Sequence, residues 1–518
     1  MNNHIKAALI LVVIGAAAMA AVRYMAPALL DQKQVDTSDA AGVKGAITIG
    51  MDNFVGYFPL CSPDLKARML TAGYLLKCVD DKASYSERMQ NLKSGELNFA
   101  VGTVDSMILT GPRFDFPGTI IAVLDESKGV DAIVAREADV KNLDSLKGKN
   151  AITIAVTPDS PSSHLLKAVG VHFGIPMLMN KGGAWRQDSA GSAEALKMLL
   201  DGKVSAAVLW EPDVSKALAN KEIIKILGTD QTSKLIVDIL MVNRRFSEER
   251  PEAVETLLAN YFKTLKYYAD NQPTMIKQLA DYAKIEPEQA ENILKGIDWV
   301  NLHDNATKWF GVSAPGVAGA YGLFDTVEAT TMILIDYGDF KSNPVPDADP
   351  RRLTLSTPLV KIFRQSMAGA INAPGAAPKA AIAGLAQLSA EQWDRLREVG
   401  TLKVRPIIFI RGSARLSLEG KEQLDMAMEA LKSYPTFRIK VEGHTNPRGD
   451  EQANQELSQK RAEAVSQYLK VTYKIEDSRL LAVGLGSGEP LVMEDGESQR
   501  EYFERLSRVE LHLMAEVY

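Results

Sequence analysis

The sequence predicts an α/β protein with two globular parts behind an N-terminal transmembrane or signal helix. Three observations predict this class. Short apolar runs rich in β-branched residues alternate with helical patterns from about residue 45 to residue 235. A second, shorter alternation of strand and helix patterns begins near residue 404. The chain also opens with an uncharged apolar run over residues 7–22.

The length and composition are those of a soluble chain with several domains. Of the 518 residues, 46% are hydrophobic and 24% are charged, which is usual for folded soluble proteins. A chain of this length is expected to form about two to four domains. The net charge of −6 provides no basic surface for phosphates, so nucleic acid is excluded as a partner.

Residues 1–31 are predicted to be a membrane anchor or an export signal. Lys6 precedes the uncharged run and Arg23 follows it. The run is short for a membrane-spanning helix. Small residues at 18–20 offer a cleavage site, so a secretory signal is the alternative. We expect an uncleaved inner-membrane anchor, and with either alternative the rest of the chain lies in the periplasm.

Residues 32–340 are predicted to form the first globular part, after a polar tether that ends near residue 44. Strands that alternate with helices indicate a largely parallel sheet covered on both faces. The strands are predicted at 46–50, 97–101, 118–123, 131–134, 151–156 and 206–210. The helices are predicted at 63–75, 85–93, 161–171 and 193–200, and after about residue 235 the chain is predicted to be mostly helical.

Residues 341–400 are predicted to be a linker, and residues 401–518 a second α/β domain. The linker prediction depends on the proline- and alanine-rich segments 343–347 and 373–378, between which a local strand and helix are expected. The strands of the second domain are predicted at 406–410, 437–442, 479–483 and 509–513, and its helices at 417–432 and 452–468.

Cys61 and Cys78 are the two cysteines of the chain. Both lie in one region of a chain expected to be exported, which favours a disulfide between them. Two buried free thiols are the alternative. Neither cysteine belongs to a CxxC metal-binding pattern.

Five segments of the first part carry a resemblance to a known family. They are DNFVGYFPL at 52–60, LKSGELNFA at 92–100, SKGVDAIV at 127–134, LDSLKG at 143–148 and WEP at 210–212. In this order they resemble the periplasmic solute-binding proteins of ABC importers, of the sulfonate, nitrate, thiamine-precursor or phosphate type. The resemblance implies a two-lobed periplasmic-binding-protein fold for residues 32–340. Phe54 and Asn98 depart from the Trp and Asp that are usual in the family.

Polar residues that follow predicted strands are the candidate ligand contacts, because strand ends border the ligand crevice of open α/β sheets. Ser160 is a good N-cap, and the free amides of such a helix start favour an anion. Asp159 beside it favours a cation or a zwitterion. We expect a small anionic or zwitterionic solute. The alternatives are helix capping for the serines and Asp105, and packing between the lobes for Trp210. The predicted contacts are Asp52, Asn53, Tyr57, Thr103, Asp105, Ser160, Ser162, Ser163 and Trp210.

The segment 441–465, VEGHTNPRGDEQANQELSQKRAEAV, carries a second resemblance. It is similar to the peptidoglycan-binding motif of OmpA-like domains, GHTD followed by N-x-x-L-S-x-x-R-A-x-x-V. The resemblance implies an OmpA-like α/β domain that binds the cell wall. The positions that match the motif and are predicted to bind peptidoglycan are Thr445, Asn446, Asn454, Leu457, Ser458 and Arg461.

One position of this motif differs from the family pattern. The family's loop Asp and helix Arg hold the ammonium and the carboxylate of the diaminopimelate side chain, and the matching residues here are Asn446 and Arg461. A guanidinium suits a carboxylate, whereas Asn446 offers a carbonyl acceptor without the charge that an ammonium prefers. The carboxylate half of the site is therefore expected to be intact and the amine half weakened. A structural ion pair is the alternative for Arg461.

No motif indicates catalysis, a metal or a cofactor. The six histidines lack the HExxH spacing, and no GxSxG or Walker loop occurs. We expect an envelope-tethered solute-binding protein that is not an enzyme, with peptidoglycan, the inner membrane and a small solute as partners. The resemblance adds an ABC permease or other envelope proteins. The alternative is a structural or assembly protein that keeps the two-lobed fold without a ligand.

Overall fold

The computed structural model describes residues 44–148, 151–312, 320–369, 385–410, 413–494 and 496–516. No helix within these ranges is long and apolar enough to cross a membrane. The predicted anchor or signal over residues 1–31 lies outside the described residues, as does most of the polar tether.

The described residues form three β-sheets with helices packed around them. The strands are β1 (Gly45–Met51), β2 (Tyr74–Asp80), β3 (Phe99–Thr103), β4 (Gly118–Ser127), β5 (Asp131–Arg136), β6 (Ile154–Val156), β7 (Arg186–Asp188), β8 (Ala206–Trp210), β9 (Ile223–Gly228), β10 (Val237–Asn243), β11 (Ile297–Trp299), β12 (Arg397–Thr401), β13 (Arg438–Gly443), β14 (Leu480–Gly484) and β15 (Val509–Ala515). The α-helices are Phe58–Cys61, Pro63–Thr71, Tyr85–Ser94, Val104–Thr110, Pro161–Phe173, Pro176–Met179, Ser192–Leu200, Asp213–Leu218, Arg244–Glu249, Pro251–Asp270, Gln272–Ala283, Pro287–Lys295, Leu302–Asp304, Gly322–Asp336, Thr357–Gly369, Ala390–Trp393, Leu418–Lys432, Glu451–Tyr473 and Gln499–Leu506.

The first lobe is built on a sheet with the strand order β11-β4-β10-β3-β1-β2. β1 runs parallel to β2 and β3, whereas β10 is antiparallel to both β3 and β4. The sheet is therefore mixed, and the prediction of a largely parallel sheet was wrong. β10 also lies in the region predicted to be mostly helical. It enters the sheet from the other lobe, which reverses its direction.

The second lobe is built on a sheet with the strand order β7-β6-β8-β5-β9. β6 is parallel to β7 and β8, and β5 is antiparallel to β8 and β9. The chain leaves the first lobe between β4 and β5 and returns to it between β9 and β10. These two crossovers separate the lobes and place a cleft between the two sheets.

Local sequence explains where the helices of the first lobe begin and end. Pro251 starts the helix Pro251–Asp270, and Leu257, Leu258 and Tyr261 on one face of it are buried. The helix Pro63–Thr71 is shorter than predicted, because Gly73 adopts a left-handed φ of 89° and the chain continues into the edge strand β2.

Part of the segment predicted as a linker packs on the first lobe. Leu353 and Leu359 are buried in the core of that lobe. Lys361, on the helix Thr357–Gly369, forms an ion pair with Glu255 at 2.7 Å. The first domain therefore receives packing contacts from beyond residue 340, the boundary predicted for it.

The C-terminal domain has a four-stranded sheet with the order β12-β15-β13-β14. Its first strand was misplaced by the sequence pattern. Residues 406–410 form only an isolated bridge between Phe409 and Leu416, and β12 pairs with β15 instead. The other predicted strands and both predicted helices agree with β13, β14, β15 and the helices Leu418–Lys432 and Glu451–Tyr473.

The C-terminal domain packs against the second lobe. One continuous apolar core contains Leu143 and Phe173 of the lobe together with Val399 and Tyr434 of the domain. The imidazole Nδ1 of His172 lies 3.0 Å from the hydroxyl of Tyr434. The core of the first lobe, over the described residues, includes no residue of the C-terminal domain.

Cys61 and Cys78 form a disulfide with a Cα–Cα separation of 6.3 Å, as predicted. The bond joins the end of the helix Phe58–Cys61 to the edge strand β2. It therefore fixes the segment that follows β1, which also borders the cleft.

Candidate functional site

A small, partly open cavity of about 10 Å³, which is room for about one water molecule, lies between the two lobes. Both lobes contribute to its wall, so that it depends on their closed arrangement. The lining residues are Asp52, Phe54, Tyr57, Tyr85, Asp131, Pro161, Trp210, Ile236 and Asp238.

Asp52 directly follows β1, lines the cavity and forms an ion pair with a buried arginine. Its Oδ2 lies 2.9 Å from Nη2 of Arg88, and its Oδ1 accepts the backbone N–H of Phe54. The same guanidinium pairs with Asp81 at 2.5 Å. Arg88 is therefore fully engaged by two carboxylates, and its charge is not available to an anionic ligand.

Three other buried carboxylates lie close together without a basic partner. Asp125 and Asp238 are register partners on the antiparallel strands β4 and β10. Asp131 follows the first crossover and accepts a hydrogen bond from the hydroxyl of Ser127 at 2.6 Å. No lysine, arginine or histidine among the described residues forms an ion pair with any of the three.

Burial and mutual repulsion raise the pKa values of these carboxyl groups. Burial is the main cause for Asp125 and Asp238; the next cause is the charge of Asp131 for Asp125 and the charge of Asp125 for Asp238. Burial raises the pKa of Asp131 to about 7. Because they have no basic partner of their own, these residues bind protons at pH values where an ordinary aspartate is ionised.

Aromatic rings form much of the remaining wall. The rings of Phe54 and Tyr57 meet edge to face with centroids 5.1 Å apart. The hydroxyl of Tyr57 donates a hydrogen bond to Oδ1 of Asp238. Trp210, at the end of β8, and Tyr85, at the start of a helix, face the cavity from opposite lobes. The site combines anionic and aromatic groups.

The loop after β1 approaches Asp125 closely, and a glycine permits it. A Cβ atom at Gly56 would lie 2.9 Å from Oδ2 of Asp125 and closer still to the ring of Phe54. The carbonyl of Gly56 also accepts the indole N–H of Trp299 at 3.1 Å. A larger residue at this position would displace the wall of the cavity.

The two crossovers are hydrogen-bonded to each other beside the cavity. The hydroxyl groups of Ser127 and Thr229 lie 2.6 Å apart, and Thr229 also accepts the backbone N–H of Asp131. Because Ser127 also donates to Asp131, a carboxylate of the cavity is part of the connection between the lobes.

Three of the nine predicted ligand contacts line the cavity: Asp52, Tyr57 and Trp210. Asn53 is exposed and lies outside the lining. The other five are buried outside the lining and have other partners or positions: Thr103 and Ser160 cap helices, and Asp105, Ser162 and Ser163 lie in the first turns of those helices.

The sequence analysis missed six lining residues, and two of them had a readable signal. Asp238 interrupts the apolar run LIVDILMV, and Asp131 follows the first crossover directly. A carboxylate in an otherwise fully apolar strand is costly unless it has a role, so the run around Asp238 could have indicated the site. Tyr85, Phe54, Pro161 and Ile236 carried no such signal.

The charges of the lining do not support an anionic solute. Four carboxylates were found in or beside the wall, and the lining residues include no basic side chain. The one buried guanidinium nearby, Arg88, already pairs with Asp52 and Asp81.

The second candidate site lies where β13 meets the helix Glu451–Tyr473. A Cβ atom at Gly443 would lie 2.2 Å from the carbonyl oxygen of Ser458, so only glycine allows this close contact. The hydroxyl of Ser458 accepts the backbone N–H of Gly486. Ser458 is fully buried and Thr445 is nearly so, so their positions indicate a structural role in holding the loop.

Asn446 and Asn454 organise the loop between β13 and the helix. The side-chain oxygen of Asn446 accepts the backbone N–H of Arg448 at 3.0 Å, and its amide group lies 3.3 Å from the hydroxyl of Ser507. Asn454 donates to the carbonyl groups of Asn446 and Arg448.

Arg461 is half-buried and has no carboxylate partner among the described residues. Its guanidinium lies over the ring of Phe409 at 5.0 Å, and its Nε donates a long hydrogen bond to the carbonyl of Ser413. The structural ion pair that was the alternative for this residue is not observed. On the same helix Val465 is fully buried, whereas Leu457 is only partly buried.

A partly buried charge network lies beside the strand that leads into this loop. His512 on β15 lies 2.7 Å from Glu398 and 3.2 Å from Glu442. Burial would lower the pKa of His512, but the hydrogen bonds to these glutamates raise it to about 11. His444 is buried beside Glu510 at 3.5 Å, which agrees with a packing role rather than a catalytic one.

Residues 408–503 match the OmpA family. Over 61 residues, or 12% of this chain, the sequence is 43% identical to outer membrane porin F of Pseudomonas aeruginosa, and the match covers 17% of that protein. Over 165 residues, or 32% of this chain, it is 30% identical to peptidoglycan-binding protein ArfA of Mycobacterium tuberculosis, and covers 47% of it. The chain thus spans less than half the length of these curated relatives.

Solved structures also resemble the N-terminal part of the chain. The periplasmic aliphatic sulphonate-binding protein SsuA from Escherichia coli aligns with 15% sequence identity and a TM-score of 0.45, over 60% of this chain and 98% of that chain. The chain thus joins a two-lobed α/β part, built on two mixed sheets, to a C-terminal domain whose residues 408–503 match the OmpA family.

Proposed function

We propose that this protein is an envelope-tethered solute-binding protein of the periplasm, which holds a small molecule between its lobes and attaches non-covalently to peptidoglycan. The cavity between the lobes carries the proposal, because residues of both lobes line one space. In this closed arrangement the space measures only about 10 Å³, so the lobes must separate to admit a solute.

We propose that the C-terminal domain makes the contact with peptidoglycan. Arg461 has no carboxylate of its own among the described residues, and a planar guanidinium is suited to a carboxylate of the peptide stem. Asn446 stands at the position near the stem's amine and supplies a carbonyl oxygen. One similar protein is named as a peptidoglycan-binding protein, which supports wall binding by this chain.

The remaining parts of the proposal concern the ends of the chain and its partners. The apolar run over residues 7–22 would hold the protein in the inner membrane. An ABC permease in that membrane would be the partner that receives the solute, as the two-lobed fold suggests.

The second candidate is a structural protein of the envelope that uses a ligand-free binding-protein fold. One observation favours it. The helix Gly322–Asp336 packs on helices of both lobes, and Asp339 just after it pairs with Lys167 of the second lobe at 2.8 Å. Contacts of this kind restrain the opening through which a solute would enter.

A ligand screen on the full-length chain tests the first candidate. We expect at least one metabolite of a broad library to raise the melting temperature of the wild type, since a ligand that binds only the folded state must stabilise it. The same compound should have a much smaller effect on the Trp210→Ala variant. A library that stabilises neither protein, together with no bound small molecule in native mass spectra, would favour the structural candidate.

A further inference from the structure

The cavity contains more buried carboxyl groups than basic side chains that could pair with them. Asp52 shares Arg88 with Asp81, but Asp125, Asp131 and Asp238 have no basic partner among the described residues. All three are at least nine-tenths buried. Buried carboxylates are normally paired or bound to a cation, because the loss of hydration is large.

Several carboxylate oxygens of these aspartates lack a hydrogen-bond partner among the described residues, which indicates room for a bound group. Oδ2 of Asp238, which lines the cavity, has no hydrogen-bond donor in the described part of the chain, and neither oxygen of Asp125 has one. The carboxyl groups of Asp125 and Asp238 face each other, so a proton shared between them is the one hydrogen bond they can form together. Oδ1 of Asp238 is occupied by the hydroxyl of Tyr57, so Oδ2 is the atom left for a ligand.

The aromatic wall selects among cations. Phe54, Tyr57, Tyr85 and Trp210 contribute rings to a space that also presents Asp131 and Asp238. A small hard metal ion requires oxygen ligands on most sides, whereas an alkylated ammonium group is attracted both by carboxylates and by the faces of aromatic rings. The composition of the wall therefore favours an organic cation.

We propose that the solute carries an organic ammonium group, held against Asp131 and Asp238 and enclosed by the rings of Tyr57, Tyr85 and Trp210. This inference rests on the proposed function, since it names the chemical class of the molecule in the same cavity. It includes zwitterions whose ammonium end lies at the carboxylates, and it excludes sulfonate, nitrate and other plain anions.

Calorimetric titration and thermal shift of the full-length chain with matched probes test the inference. The probes are choline, its neutral carbon isostere 3,3-dimethyl-1-butanol, putrescine, glycine betaine and methanesulfonate. We expect at least one of the three compounds with an ammonium group to bind, and the neutral isostere to bind at least about tenfold more weakly than choline, since it lacks the charge that the site recognises.

Variants connect the binding to the named residues. Asp238→Asn keeps an acceptor for Tyr57 and should weaken binding of the ammonium probe at least tenfold. Asp131→Asn provides a second test if the first variant is unstable. Asp115→Asn is the control, because Asp115 is an exposed carboxylate on the same lobe with a left-handed φ that Asn tolerates.

The outcomes separate this inference from the proposed function. Binding of methanesulfonate or of the neutral isostere, without binding of any ammonium compound, would overturn the ammonium class and leave the solute-binding function standing. Equal weakening by Asp238→Asn and Asp115→Asn would place the cation elsewhere and also overturn the inference. If neither these probes nor the broad library binds, both proposals fail.

Discussion

Asp125 of β4 lies directly opposite Asp238 of β10, and both side chains are buried in the sheet of the first lobe. Two like charges at facing positions destabilise an antiparallel pair. Their pKa values are raised in the folded protein, mainly by burial and then by the charges of neighbouring carboxyl groups. The folded state therefore retains protons that the unfolded chain releases above about pH 4.

Replacing Asp125 should stabilise the protein without its ligand. The raised pKa means that the wild type loses stability as the pH rises above the ordinary value for Asp, and Asp125→Asn removes this loss. We expect the variant to gain at least about 1 kcal/mol relative to wild type at pH 8, equivalent to roughly one pKa unit, and less at pH 5. Urea unfolding at both pH values measures the gain; an equal change at pH 5 and pH 8 would contradict the explanation.

Binding of an ammonium compound should weaken as the pH falls. Burial raises the pKa of Asp131 to about 7, so below this pH the empty cleft holds a proton that the cation must displace. We expect the dissociation constant to rise between pH 8 and pH 6, with protons released on binding. Calorimetry in two buffers of different ionisation enthalpy measures the release. Tighter binding at pH 6 would indicate an anionic ligand.

Arg461→Ala should nearly abolish sedimentation of the protein with purified peptidoglycan. Truncating one partner of a charged, hydrogen-bonded contact costs about 2 kcal/mol or more. Arg461→Lys keeps the charge but loses the planar fork, so it should show intermediate binding. Because Arg461 also packs on Phe409, circular dichroism of each variant serves as the folding control. Wild-type binding by a folded Arg461→Ala protein would show that this arginine is not the wall contact.

Asn446→Asp should strengthen wall binding. The carboxylate can still accept the backbone N–H of Arg448, and the hydroxyl of Ser507 can donate to it, so the loop has no reason to change. The added charge would lie near the amine of the peptide stem. If the variant sediments with peptidoglycan and the wild type does not, the domain has the fold but not the activity.

Loss of the Cys61–Cys78 disulfide should lower the free energy of unfolding by about 2–4 kcal/mol, as expected for a short closed loop. The comparison is urea unfolding with and without reductant. The Cys61→Ser/Cys78→Ser double variant is the control, and its unfolding should not respond to reductant. A wild type equally indifferent to reductant would mean that the bond contributes nothing to stability.

Patterns in the sequence located most elements but not the way the strands combine. The runs at 118–123 and 206–210 predicted β4 and β8 because both strands are fully buried and therefore continuously apolar. The direction of β10 could not be predicted, because it is set by the return crossover and not by local sequence. β12 was missed, since its sequence REVGT has little apolar character and is a strand only through pairing with β15.

The ligand contacts were predicted from residues at the carboxyl ends of strands, and this rule found only part of the cavity lining. Asp52 and Trp210 lie at such strand ends and line the cavity. Asp238 lies near the beginning of β10, where the strand enters the sheet from the opposite direction, so a rule about carboxyl ends omits it. Thr103 and Ser160 follow strands as required, but their hydroxyl groups are used by helix starts.

The contact between the C-terminal domain and the second lobe has a mechanical consequence. Because they share one apolar core, with Phe173 and Tyr434 in it, we expect the second lobe and the C-terminal domain to move as one body. If peptidoglycan holds that body still, any opening of the cleft must be a swing of the first lobe alone. The cell wall would then fix the second lobe in place, and a permease that receives the solute would have to contact the mobile first lobe.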